Sequence, residues 1–328
     1  MLLFVAGVDV PAVREPTASS PLKSGWRRLE LLAHFRPADS DPLSSLPQHR
    51  SHSRRYELNR FVYPVLSRRS RGISIGVNLN PDKVCNFDCI YCQVDRRSEA
   101  ETKFVELDQV LDELAYVVDL VTTGQLFEDE AFRSVPPALR RLNDIAFSGD
   151  GEPTTYKNFD EIISRVAQFK RARRLDDVKM VLITNATMFH RPPVVRGLAI
   201  LDGNNGEVWA KLDAGTEPYY KLVDRTVIPF QRVLDNILAA SRLRPLVLQS
   251  LFMRINGDPP STDEITAYIK RINDILAGGG KLKLAQIYTV ARPPAESFVA
   301  SLTNAEVDAI AARVRAETGV QAECYYGG

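Results

Sequence analysis

From about residue 71 the chain alternates between two hydrophobic periods, and that alternation predicts its architecture. Residues 72–78, Gly-Ile-Ser-Ile-Gly-Val-Asn, place apolar residues at every second position, as a strand does. Residues 106–121 repeat apolar residues at helical spacing, with Leu107, Val110, Leu111, Leu114, Val117 and Val118 on one side. The two patterns then take turns. Strands are predicted at 143–148, 178–184, 207–213, 246–255 and 282–290, and helices at 159–170, 193–201, 230–241, 261–276 and 304–318. Pro193 opens one helix, a Ser261-Thr262-Asp263 cap opens another, and Gly319 closes the last. A final short strand is predicted over 320–325. Strands alternating with helices imply parallel β/α units joined by right-handed crossovers. Six such strands are too few for a closed eightfold barrel. The expected fold class is therefore α/β, an open partial (β/α)6 barrel of parallel strands. Its functional groups should sit at the C-terminal strand ends, as in closed barrels.

Upstream of residue 72 the rhythm fails. The first 50 residues hold much of the chain's Pro, Ser and Arg, and only 27–35 reads as a short helix. The expected division is a basic, weakly ordered N-terminal extension over 1–71 and a partial-barrel domain over 72–328. Charge follows the same division. The net charge is +1, but residues 1–72 carry 12 Lys+Arg against 6 Asp+Glu, and the remainder 30 against 35. The basic stretch from His52-Ser53-Arg54-Arg55 to Arg68-Arg69-Ser70-Arg71 reads as a solvated leader, or as a docking arm for nucleic acid or another acidic partner. A composition 45% hydrophobic and 25% charged is ordinary for a soluble globular protein. No apolar run reaches the ~20 residues that span a bilayer, so no membrane role is expected. The opening MLLFVAGVDV is short and has no basic region before it, unlike a secretory signal.

Chemistry concentrates in the run Lys83-Val84-Cys85-Asn86-Phe87-Asp88-Cys89-Ile90-Tyr91-Cys92, which holds three of the four cysteines. That clustering excludes a disulfide framework. Three thiolates at Cys-x3-Cys-x2-Cys spacing can bind three irons of a cubane [4Fe–4S] cluster and leave the fourth open to a ligand. Two plainer readings stand beside it: a zinc site completed by Cys324 or a histidine, or thiols packed as small hydrophobes. Other candidates fall at predicted strand ends. In Phe147-Ser148-Gly149-Asp150-Gly151-Glu152-Pro153-Thr154, Gly149 and Gly151 permit close backbone approach to a ligand and positive φ, and Glu152 can accept hydrogen bonds from an ammonium group. The alternative is a glycine turn before a helix cap. Thr184 and Asn185 could bond a ribose or a carboxylate, or simply form a β–α turn. Lys211 and Asp213 are two apart and share a strand face. They read as groups for a carboxylate and a ribose, or as an internal salt link. Gln249, Arg254, Gln286 and Tyr288 are further polar groups with no preferred role.

The cysteine spacing, the aromatic Tyr91 before Cys92, and the Gly-Asp-Gly-Glu turn one strand later resemble the radical S-adenosylmethionine (radical SAM) superfamily. Asp150 between the glycines departs from that superfamily's glycine-rich motif. The resemblance implies that Cys85, Cys89 and Cys92 ligate a [4Fe–4S] cluster and that S-adenosyl-L-methionine chelates the open iron. It further implies reductive cleavage to a 5′-deoxyadenosyl radical that takes hydrogen from a substrate, with the cofactor carrying the hard chemistry. Glu152 would then meet the methionyl amino group, Lys211 the carboxylate and Asp213 the ribose. A one-electron reductant such as flavodoxin or ferredoxin is the implied partner, and a reducing compartment such as the cytoplasm the implied location. The combination most resembles the Fe–S oxidoreductase group, related to wyosine-base synthases and pyruvate formate-lyase activating enzymes. Only Cys324 remains outside the run, so a second all-cysteine cluster is excluded. Two rival readings are kept: a tRNA- or RNA-modifying enzyme docking through the basic segment, and a non-catalytic metal-binding adaptor.

Overall fold

The computed structural model describes residues 56–95, 98–100, 102 and 104–327. The helix predicted at 27–35 and the basic residues Arg54 and Arg55 lie outside the described residues.

A short antiparallel hairpin begins the fold: β1 (Val62–Ser67) pairs with β2 (Gly72–Val77) from Val62↔Val77 to Ser67↔Gly72. Strand–helix units follow, namely α1 (Leu107–Thr123), β3 (Leu142–Phe147), α2 (Phe159–Ala172), β4 (Lys179–Thr184), α3 (Pro192–Asp202) and β5 (Gly206–Lys211). The chain continues through α4 (Glu217–Asp224), α5 (Phe230–Leu243), β6 (Leu246–Leu251), β7 (Met253–Ile255), α6 (Thr262–Ala277) and β8 (Leu282–Tyr288). It ends with β9 (Val299–Ser301), α7 (Asn304–Thr318) and β10 (Ala322–Tyr325). One eight-stranded sheet runs in the order β1-β2-β3-β4-β5-β6-β8-β10, and β7 and β9 form a separate antiparallel pair. From β2 to β10 all neighbours are parallel. The sheet curls into a half-barrel, so the expected partial barrel is found. Its six β/α units run from β2 to α7, with β10 as a seventh parallel strand.

β1 is the main departure from the sequence reading, which assigned residues 62–67 to the extension. Pro64 lies inside the run Val-Tyr-Pro-Val-Leu-Ser, and an internal proline argues against a strand. It is tolerated because β1 is an edge strand. Glu113 on α1 fixes the start of this strand. Its carboxylate accepts from the Arg60, Phe61 and Val62 N–H groups at 3.0, 2.8 and 3.0 Å. The predicted strand over 246–255 is also divided, because the chain leaves the sheet at Phe252 and β7 turns to pair with β9.

Both faces of the parallel sheet are covered, which is why its strands read as near-continuous apolar runs. Ile75, Val77, Ile145, Phe147, Met180 and Leu182 belong to the large core shared with the helices. Ala146, Val181, Trp209 and Val247 form a smaller cluster on the opposite, concave face. Along β5 the period of two stacks Glu207, Trp209 and Lys211 on that concave side. At the floor, Glu207 accepts from Lys179 Nζ at 2.7 Å, Lys283 Nζ at 2.5 Å and Trp209 Nε1 at 3.1 Å. The Trp209 ring fills the middle layer. Lys211 stands at the mouth, where the C-terminal strand ends meet. Among the described residues no helix is long and apolar enough to cross a membrane.

Candidate functional site

A cavity of about 300 Å³ opens at the C-terminal ends of the parallel strands. Cys85, Cys89 and Cys92 all line it, together with Gly149, Asp150, Gly151, Glu152, Thr184, Asn185 and Lys211. The structure therefore brings together nine of the ten site residues picked out in the sequence; the tenth, Asp213, lies just beneath.

The cysteine loop is held by its own chain on several sides. Val84 O accepts from Glu152 N at 3.2 Å. Asn86 Nδ2 donates to Thr187 Oγ1 and its Oδ1 accepts from Asn185 Nδ2, both at 2.7 Å. Asp88 N and Ile90 N donate to the Asp224 and Val223 carbonyls at 3.0 and 2.9 Å. Thr226 Oγ1 donates to Asn86 O at 2.8 Å, and Phe87 meets Tyr220 edge-on at 5.7 Å between centroids. The helix that supplies Tyr220, Val223 and Asp224 is α4, too short for its period to show in the sequence. It starts because Thr216 caps Tyr219 N and Pro218 occupies the first turn.

The glycine turn is a close-packed joint. A Cβ on Gly149 would come within 2.5 Å of Asn78 Cγ. One on Gly151 would lie 2.7 Å from Asn80 Cβ and 2.8 Å from the Val84 carbonyl carbon, nearer still to its oxygen. Neither glycine has positive φ. The close approach expected toward a ligand is thus made to the chain itself, against the residue preceding Cys85. Asn78 completes the joint: its Oδ1 accepts from Asp150 N at 3.1 Å and its Nδ2 donates to Asp150 Oδ2 at 2.7 Å.

Glu152 is 3% exposed. Its Oε1 accepts from Thr154 N (3.1 Å), Thr154 Oγ1 (2.5 Å) and Thr184 Oγ1 (2.6 Å), and its Oε2 from Asn185 N (2.7 Å). Burial raises its pKa, and these hydrogen bonds oppose the rise. Glu152 and Thr184 thereby join the ends of β3 and β4, and the cap role left open in the sequence reading is present. Asn185 is spent inside the protein as well, accepting from Thr187 N and Oγ1 at 3.1 and 2.7 Å.

Asp213 does not line the cavity. It is 3% exposed, its Oδ1 accepts from Leu251 N at 2.8 Å, and its Oδ2 accepts from the Tyr91 hydroxyl. Lys211 Nζ donates to the same hydroxyl at 2.9 Å and lies 4.0 Å from Asp213 Oδ2. The shared strand face holds, but its product is a Tyr91–Asp213–Lys211 network under the cysteine loop. Burial disfavours the Lys211 charge, yet Tyr288, Asp213, Cys89 and Asp224 outweigh it and raise its pKa above the ordinary lysine value. Asp224, also buried, lies 3.3 Å from Cys89 Sγ. Burial first and Asp224 second raise the Cys89 pKa. No local pattern marks Asp224, which ends a helix invisible to periodicity.

The donor set fits an iron–sulfur cluster. Three partly exposed cysteines, none in a disulfide, share one loop and one cavity, as a cubane with one open iron requires. Among the described residues no three His, Cys, Asp or Glu side chains converge on a single-ion site. Cys324 sits elsewhere, its Sγ 4.0 Å from Val307 O, and does not line the cavity.

Known proteins resemble this chain in sequence and in fold. A UPF0026 protein of Helicobacter pylori is 27% identical over 217 residues, covering 64% of this chain and 62% of that protein. A protein of Brachyspira hyodysenteriae named GTPase Obg is 25% identical over 249 residues, 75% of this chain but 32% of its own length. The chain thus spans less than two thirds of either relative. A radical SAM methyltransferase from Sphaerobacter thermophilus shares the fold, with a TM-score of 0.56 at 11% identity over 81% of this chain and 69% of that one. The family model of the radical SAM superfamily matches residues 79–272, from the approach to the cysteine loop into α6, and the chain belongs to that superfamily.

Proposed function

We propose that this chain is an oxidoreductase that uses a [4Fe–4S] cluster on Cys85, Cys89 and Cys92 to cleave S-adenosylmethionine reductively, directing the 5′-deoxyadenosyl radical at a substrate. The observation that carries the reading is that all three thiols open into one cavity at the barrel mouth, on a loop braced by its own chain. Glu152 Oε2 holds one donor, Asn185 N, and retains a lone pair for the methionyl ammonium. Lys211 supplies a fixed positive charge for the methionyl carboxylate. Tyr91 and Asp213 act as positioning residues, holding Lys211 and the Cys89–Cys92 segment in one arrangement. Gly149 and Gly151 let the turn bearing Glu152 lie against the loop bearing Cys85. The electron donor is a one-electron carrier of the flavodoxin or ferredoxin kind, and four cysteines outside any disulfide fit a cytoplasmic setting. The domain that does this work extends from β1 to β10.

Anaerobic reconstitution tests the reading. The chain should take up about four irons, the count of a cubane, and S-adenosylmethionine should change the EPR signal of the reduced cluster. Cys85→Ala, Cys89→Ala and Cys92→Ala should each abolish both results, and Cys324→Ala neither. Tight zinc binding in place of iron, or equal dependence on Cys324, would refute it.

A further inference from the structure

The β1–β2 turn reaches across the open seam of the half-barrel to its last strands. Arg68 Nη1 donates to Tyr326 O at 2.6 Å, a contact between residues 258 apart in sequence. Arg69 comes to rest over the Tyr288 ring, its guanidinium carbon 4.4 Å from that centroid and 6.0 Å from that of Tyr325. Both arginines line the cavity that holds the three cysteines. In the sequence they belonged to a basic leader; in the fold they are wall residues of the site.

Arg69 is presented in a particular way. Among the described residues it has no carboxylate partner. Its cation lies over the Tyr288 ring, and a cation–π contact of this kind is made by the charge and not by the N–H fork. That fork matches two oxygens of a carboxylate or a phosphate. Neither carboxylate bordering the cavity, Glu152 or Asp150, is paired with it. Glu152 carries four hydrogen bonds, and Asp150 is tied to Asn78. S-adenosylmethionine has one carboxylate and no phosphate, and Lys211 already stands beside the cysteine loop to meet it.

We propose that Arg69 is the docking group for an oxyanion carried by the substrate, a carboxylate or a phosphate, with Arg68 pinning the turn that presents it. The proposal rests on the reading of this cavity as the S-adenosylmethionine site. A substrate anchored by its anionic end would be oriented before any bond is broken, the entropic advantage of a positioned reactant.

Calorimetry on the reconstituted full chain, loaded with S-adenosylmethionine, tests this with inorganic phosphate and malonate as separate probes at matched ionic strength. One of the two should bind in the millimolar range or tighter; which one does so names the substrate's anion. Arg69→Gln should weaken that probe about tenfold or more, and Arg69→Lys by less, because lysine keeps the charge and loses the fork. Iron content equal to that of the unsubstituted chain shows that each variant has folded. Unchanged probe affinity in Arg69→Gln would overturn the proposal, as would absence of binding by both probes. An equal loss of S-adenosylmethionine affinity would also overturn it, by placing Arg69 on the methionyl carboxylate. A chain that holds no iron would sink the parent reading instead, and that result is visible before any anion is added.

Discussion

Gly151→Ala tests the joint between the glycine turn and the cysteine loop. The added methyl would lie 2.7 Å from Asn80 Cβ and 2.8 Å from the Val84 carbonyl carbon, where ordinary contact begins near 3.4 Å. The two segments must therefore part by at least about 0.6 Å, more along the line to the carbonyl oxygen. Neither neighbour is the tip of a flexible side chain. Asn80 is 4% exposed, and Val84 O is the acceptor for Glu152 N. Overpacking of this kind costs about 1–3 kcal/mol. The strain is relieved most easily by moving the Val84–Cys85 segment, since Val84 itself is 51% exposed. A bias of about 1 kcal/mol changes a population roughly fivefold, so the cluster-binding geometry becomes at least that much rarer. The assay is iron retention during a chelator challenge on anaerobically reconstituted protein, with the melting temperature taken in parallel. Gly151→Ala should lose iron about five times faster or more and melt about 2–6 °C lower. Gly203→Ala is the control: its φ is −82° and the nearest atom to a new Cβ is 3.7 Å away. Equal iron retention by Gly151→Ala, Gly203→Ala and the unsubstituted chain would refute the reasoning.

Two further outcomes are expected. Glu152→Gln should turn an amide N–H₂ toward Asn185 N or toward the Thr154 and Thr184 donors, costing about 1–3 kcal/mol in a thermal or urea melt; a melt unchanged from the unsubstituted chain would mean that the β3–β4 joint does not depend on the carboxylate. Glu207 provides the pH test. Burial would raise its pKa, but hydrogen bonds from Lys179, Lys283 and Trp209 bring it down from 4.5 to about 2. A carboxylate depressed in the folded state stabilises fully above its unfolded pKa and loses that contribution as pH falls toward its folded one. The full shift corresponds to about 3 kcal/mol, and the 43% and 54% exposed lysine side chains reduce it to about 1–2 kcal/mol. The stability gap between the unsubstituted chain and Glu207→Gln, measured by urea unfolding, should therefore be constant from pH 7 to 5 and close between pH 4.5 and 2. A gap that does not change with pH would contradict the ion-pair account.

Local information carried most of what could be read in advance. The helical period of 3.6 and the short apolar runs between helices located the six β/α units, the runs because both faces of the sheet are buried. The three cysteines were legible for the same reason: their spacing alone places them on one loop. What escaped depends on partners far along the chain. β1 was hidden by Pro64, which only its edge position makes acceptable. Asp213 was rightly paired with Lys211, but its second partner, Tyr91, is 122 residues away, and that contact draws the carboxylate below the cavity. Gly149 and Gly151 announced a close approach without saying to what. Arg68 and Arg69 looked like part of a leader because their destination, the region of Tyr288 and Tyr326, is set by the curl of the sheet.

That destination bears on how the protein is made. Arg68 hydrogen-bonds a carbonyl 258 residues downstream, so the cavity wall it helps to build cannot close until residue 326 has left the ribosome. By then Cys85, Cys89 and Cys92 have long been synthesised, together with the β3 and β4 ends that brace their loop. During that interval the cysteine loop faces an unfinished barrel, open on the side that Tyr288 and Tyr325 will later occupy. An iron–sulfur cluster delivered then would meet a wide entrance; one delivered later would pass through the cavity mouth. Sequential strand order thus becomes a schedule, in which the cysteine loop is built early and its enclosure comes later.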